Sequence, residues 1–209
     1  MDRYKPIFAG VFIVVIVCGL IFYVRNPKLQ ARSLLVEAVG EDYFNSFMKL
    51  KGVQSTTLRP PKSFTCVVYD YYLQVGNYST TCEVIFIFDW INRFSRSMGV
   101  PTADNLMPFN VLREEAISIA IATNFKKCFN ITEVGNRLVQ LTQRYVEVEA
   151  EILFVERSVN DVPVNRYVWH VVIYLTEKSA LSGSLIEVLI DLHIGEVIDS
   201  AELLWSSTP

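Results

Sequence analysis

From Tyr145 onward apolar and polar positions alternate, with Val146, Val148, Ala150, Ile152 and Phe154 on one side and Glu147, Glu149 and Glu151 on the other. A period of two is the signature of a strand with one wet face. After the turn residues Val159 to Asn165 the alternation returns in Tyr167, Trp169, Val171, Ile173 and Leu175. A third strand, Leu185 to Leu192, turns through His193-Ile194-Gly195 and resumes at Glu196 to Ile198. Ahead of these strands the period is helical. Asn110 is placed to cap a helix from Val111 to about Lys127, with Glu114 and Glu115 early and Lys126 and Lys127 late, as the helix dipole favours. Its core stripe is Leu112, Ala116, Ile119 and Ala120. A helix followed by sequential strands predicts an α+β fold, a helix packed on an antiparallel sheet.

The first half is less regular. Pro27 to Val39 reads as a helical stalk, and Tyr43, Phe44, Phe47, Met48 and Leu50 as a short amphipathic helix that Gly52 ends. Beyond Arg59-Pro60-Pro61-Lys62, the β-branched and aromatic runs Phe64 to Leu73 and Thr81 to Trp90 predict a hairpin around Gly76-Asn77. Ile91 to Phe109 carries Gly99, Pro101 and Pro108 and reads as a surface connection. The chain thus divides into an anchor and flank (1–32), an α+β lobe (33–109) and a helix-plus-three-strand lobe (110–209).

The anchor is the segment Ile7 to Val24, 18 residues without a charge. At about 1.5 Å per residue a helix of that length spans about 27 Å, close to the hydrocarbon thickness of a bilayer. Tyr4 and Tyr23 lie where interfacial rings are favoured. A cleaved signal peptide is the alternative, but no small-x-small site follows the apolar run. Arg3 and Lys5 precede the span while Arg25, Lys28 and Arg32 follow it, so flanking charge does not set the orientation.

From Ser33 onward there are 21 acidic and 14 basic side chains, a formal charge of −7. This balance argues against nucleic acid as a partner. Cys66, Cys82 and Cys128 lack the CxxC spacing of zinc and redox sites. Cys66 and Cys82 could close the hairpin as a disulfide outside the cytoplasm, against the alternative of three buried thiols. Asn77-Tyr78-Ser79 and Asn130-Ile131-Thr132 are glycosylation sequons and suit an exterior face.

The two histidines, His170 and His193, have no triad or metal partners at a telling spacing, and the chain has no phosphate loop, nucleophile elbow or HExxH helix. No catalytic residue, cofactor or metal is therefore expected, and the chain reads as a non-enzyme. Glu147, Glu149 and Glu151 form the one candidate partner-binding face, set against the ordinary reading of a solvated strand face.

The lobe from Asn110 to Glu202 resembles the PepSY family, small extracytoplasmic domains that also occur in the propeptides of thermolysin-type proteases. The resemblance rests on Glu115-Ala116-Ile117-x-Ile119-Ala120, on Trp169-His170-Val171, and on Val188-Leu189-Ile190-Asp191-x-x-x-Gly195-Glu196-Val197. Leu192, where the family has a small residue, departs from the pattern. Joined to the single-pass anchor read from Ile7 to Val24, the resemblance implies a cell-membrane protein whose domain is extracytoplasmic, binds a protein or peptide and restrains or regulates a protease. A scaffold subunit of a cell-envelope complex is the alternative.

Overall fold

The computed structural model describes residues 25–59, 62–102, 105–134, 137–159, 162–180 and 182–206. The expected anchor, Ile7 to Val24, lies outside them, and among the described residues no helix is long and apolar enough to cross a membrane. The chain forms two compact units: Met1–Tyr72 with Glu83–Ala103, and Leu73–Cys82 with Asp104–Pro209. The division therefore falls near residue 103 rather than 109, and the tip of the first hairpin belongs to the second unit. The fold is α+β with antiparallel sheets.

In the first unit, α1 (Pro27–Val39) and α2 (Glu41–Phe47) precede β1 (Met48–Arg59), β2 (Lys62–Val75), β3 (Tyr78–Phe88) and β4 (Phe94–Met98). The four strands make one sheet in sequential order. Asn26 caps α1, its Oδ1 accepting from the Lys28 and Leu29 N–H groups, and Pro27 takes a first-turn position that needs no N–H. Alternation places Val67, Tyr69 and Tyr71 of β2 and Val84, Phe86 and Phe88 of β3 in the core, together with Ala31 and Leu35 of α1 and Phe44 of α2. Phe44 meets Tyr69 edge-on at 5.7 Å between ring centroids.

The structure departs from the sequence pattern here at two places. The second helix stops at Phe47, because Met48 is extended and pairs with Tyr71 to open a twelve-residue strand. Strand pairing outweighs local helical pattern. The segment Ile91 to Phe109 is not all connection, since β4 folds back on β3, pairing Ile85 with Met98 and Phe88 with Phe94.

In the second unit, α3 (Arg113–Thr123) and α4 (Phe125–Cys128) lead into a small hairpin of β5 (Phe129–Val134) and β6 (Arg137–Gln143). A four-stranded sheet follows, β7 (Glu147–Val159), β8 (Val162–Tyr174), β9 (Ser182–Asp191) and β10 (Val197–Ser206), in the order β10-β9-β8-β7. Its inner face holds Ala150, Ile152, Tyr167, Trp169, Val171, Ile173, Ile186, Val188 and Ile190, all buried. Ala116 and Ala120 are the fully buried residues of α3, small enough to let it lie close to its neighbours.

The helix is shorter at both ends than its pattern predicts. Asn110 and Val111 donate their N–H groups to the Leu192 carbonyl, and Asn110 Nδ2 donates to the His193 carbonyl at 3.3 Å. Asn110 is thereby committed to the strand turn and caps nothing. Leu112, expected in the stripe, is the N-cap without a side-chain bond and stays exposed. At the other end Asn124 interrupts the helix, its Nδ2 donating back to the Ala120 carbonyl. The β5–β6 hairpin and the full length of β10 have no counterpart in the expected elements.

Candidate partner-binding face

The register of the second sheet decides which side chains share its outer face. Glu147 is paired with Tyr174, Glu149 with Val172 and Glu151 with His170, while Val172 is paired with Glu187 and Tyr174 with Leu185. The three expected glutamates do lie together along β7, and the structure adds Tyr174, His170 and Glu187 beside them.

The row is not bare. Lys178, in the turn after β8, places Nζ 2.6 Å from Glu149 Oε1 and 3.3 Å from Glu147 Oε2, and stands 4.3 Å over the Tyr174 ring. Tyr174 donates its hydroxyl to Glu149 Oε2 at 3.0 Å. The hydrogen bonds from Lys178 and Tyr174 hold the Glu149 carboxyl below the usual range, and the bond to Glu149 raises the Lys178 ammonium. Burial, followed by the bond to Glu149, raises the Tyr174 phenol. Glu149 is thus charged and occupied at neutral pH.

Glu151 is the free end of the row, its side chain 60% exposed. His170 sits between Glu151 and Glu187, with Nδ1 and Nε2 each 3.6 Å from a carboxylate oxygen. That distance is beyond a hydrogen bond, and Nδ1 is buried without a partner. At the other end of the row Trp205 stacks edge-on to Tyr174, 6.4 Å between centroids, and covers Gly183, where a Cβ would collide with the indole. The face therefore combines four carboxylates, one lysine and two aromatic rings. Among the described residues no three His, Cys, Asp or Glu side chains converge as metal ligands.

The edges of the sheet differ. On β7 the carbonyls of Ala150 and Ile152, two residues apart and hence on the same side of the strand, accept from Arg113 Nε at 3.3 Å and from Cys82 Sγ at 3.7 Å. Side chains guard that edge. On β10, Leu203 and Leu204 are 42% and 82% exposed.

Cys66 and Cys82 are free thiols, so the expected bridge is not formed, and Cys82 instead faces the Ile152 carbonyl. Burial, reinforced by the Glu151 charge, pushes the Cys82 thiol up to about 11. Its thiolate fraction at pH 8 should be roughly 100-fold below that of an ordinary thiol, and alkylation of its peptide by iodoacetamide correspondingly slow. Mass spectrometry of the labelled protein reads this directly, and labelling at the rate of free cysteine would refute it. Cys128 is fully buried.

Asn77 is exposed at the hairpin tip, and Asn130 is exposed within β5. The Asp-x-x-x-Gly turn forms as its chemistry requires. Asp191 Oδ1 accepts from the His193 and Ile194 N–H groups at 2.8 and 3.2 Å, Oδ2 pairs with Arg166 at 2.8 Å, and Gly195 supplies φ 72°. His193 packs against Phe109, 5.1 Å between centroids.

Lys178 and Glu187 belong to the face without any signal in the sequence. Lys178 lies in a turn without periodicity, and Glu187 joins the acidic row only through the β8–β9 register.

The fold and this face define an α+β protein with a charged, aromatic sheet surface. No family model matches the chain, and no curated protein or solved structure does so either.

Proposed function

We propose that the chain is a membrane-tethered, extracytoplasmic module that binds a protein or peptide through the outer face of its C-terminal sheet. Restraint of a protease is the form of this activity that the PepSY resemblance suggests. The observation that supports it is the row Glu147, Glu149, Glu151 with Glu187, which Lys178 neutralises at one end and leaves open at Glu151. The open Glu151, with Tyr174 and Trp205 at the other end of the same face, suits an extended basic segment, since aromatic rings and carboxylates together hold Lys and Arg side chains.

A photo-crosslinking residue at position 151 in the full chain, in native membranes, tests this. The expected result is a discrete protein adduct that the same residue at Glu37, exposed on α1, does not give. Absence of any adduct from position 151 would refute the reading. The exposed Leu204 on β10 favours the scaffold alternative. A constant-stoichiometry adduct from position 204, with none from 151, would establish that alternative instead.

A further inference from the structure

The β3–β4 turn of the first unit is built rigidly around Asp89. Its Oδ1 accepts from the Ile91 and Arg93 N–H groups at 3.0 and 2.8 Å, and its Oδ2 pairs with Arg93 Nε at 3.0 Å. Its backbone N–H donates to the Arg93 carbonyl at 2.9 Å and its carbonyl accepts from Asn92 at 2.9 Å, with Asn92 at φ 59°. This lattice fixes the one large apolar side chain it carries outward: Trp90 is 68% exposed. A single exposed apolar residue is ordinary on a protein surface. A tryptophan held out by a stitched turn, with Phe94 also 44% exposed beside it, calls for a reason.

The position of the turn supplies one. Gln30 Nε2 donates to the Asn92 carbonyl at 3.1 Å, and Gln30 lies in the first turn of α1. The same helix start is held from the sheet by Tyr69, whose hydroxyl donates to the Lys28 carbonyl at 3.5 Å. Val24, the last residue of the apolar run, is six residues before Gln30. Six residues reach at most about 20 Å, so Gln30 and the turn bonded to it stay close to the lipid surface that the apolar run enters. Exposed Arg25 and Lys28 lie in the same short segment and complement anionic headgroups.

We infer that the β3–β4 turn rests on the membrane, with the Trp90 ring in the headgroup zone of the bilayer that holds Ile7 to Val24. The inference rests on the proposed membrane tether. Tryptophan is favoured at this depth because its ring buries apolar area while its N–H stays hydrated. The contact adds a second attachment point to the span and fixes the tilt of the first unit over the lipid surface.

The test uses the full chain reconstituted in phosphatidylcholine–phosphatidylglycerol vesicles. Trp205→Phe leaves Trp90 and the fully buried Trp169, and adding Trp90→Phe isolates the emission of Trp90 by difference. That component should be quenched by lipids brominated high on the acyl chain and shielded from aqueous iodide. Quenching by iodide as in a free indole, with none by bromolipid, would overturn the inference. Flotation with the vesicles after an alkaline wash reports the tether separately. A chain that floats but shows no lipid quenching refutes the Trp90 contact alone, and a chain that does not float refutes both.

Discussion

Replacing Trp169 with alanine is expected to destabilise the second unit by about 4 kcal/mol, near the upper end of what a core truncation costs. The ring is fully buried on the inner face of β8 and stands 5.0 Å from Tyr78 between centroids. Its Nε1 donates to the Val111 carbonyl at 2.8 Å, in the segment that leads into α3. Alanine leaves a cavity and a buried carbonyl without its donor, and these costs add. Trp169→Phe keeps most of the volume and loses the hydrogen bond, so it should cost about 1–3 kcal/mol. Urea unfolding of the detergent-solubilised full chain, followed by far-UV circular dichroism, separates the two. Equal costs for both variants would show that volume contributes little, and a cost under about 1 kcal/mol for alanine would remove Trp169 from the core.

Asp191→Ala should rank second, at about 2–3 kcal/mol near neutral pH. The substitution strands the His193 and Ile194 N–H groups and leaves Arg166 without its carboxylate. Burial pushes the Asp191 carboxyl up, but the bonds from His193, Arg166 and Ile194 outweigh it and hold the group below the usual range. A carboxyl depressed by folding contributes fully above its unfolded value of about 3.9, and that contribution is lost as pH falls through the folded value. The stability gap between wild type and Asp191→Asn should therefore be constant from neutral pH down to about pH 4 and narrow below it. A gap that instead widens with acid would contradict the arrangement. Hydrogen exchange at His193 and Ile194 should accelerate in the alanine variant near neutral pH.

The alternation of β7 and β8 is plain in the sequence because each strand buries one face and wets the other, so every second residue declares its side. The Asp191 turn is equally plain, since its chemistry is local and spans only five residues. β1 is hidden because Lys49 to Thr57 carries few apolar residues and owes its extension to pairing with β2. The far end of β10 is hidden for a similar reason: Ser200, Ala201 and Glu202 alternate weakly, and hydrogen bonds to β9 hold them. Of the candidate face, the β7 glutamates are legible as a row. Their neighbours are not, because His170 opposite Glu151 and Glu187 opposite Val172 are facts of register between strands. The Trp90 turn escapes for the same cause, since nothing in the pattern of residues 89–93 announces a bond to Gln30.

The unequal edges of the second sheet bear on how copies of this chain can associate. With Arg113 and Cys82 seated on the β7 carbonyls, that edge of the second sheet is closed to a further strand. Two copies joined along β10 would make one continuous sheet with a guarded β7 at each end, so that sheet would extend no further. In the second sheet that asymmetry limits edge-to-edge growth to a pair.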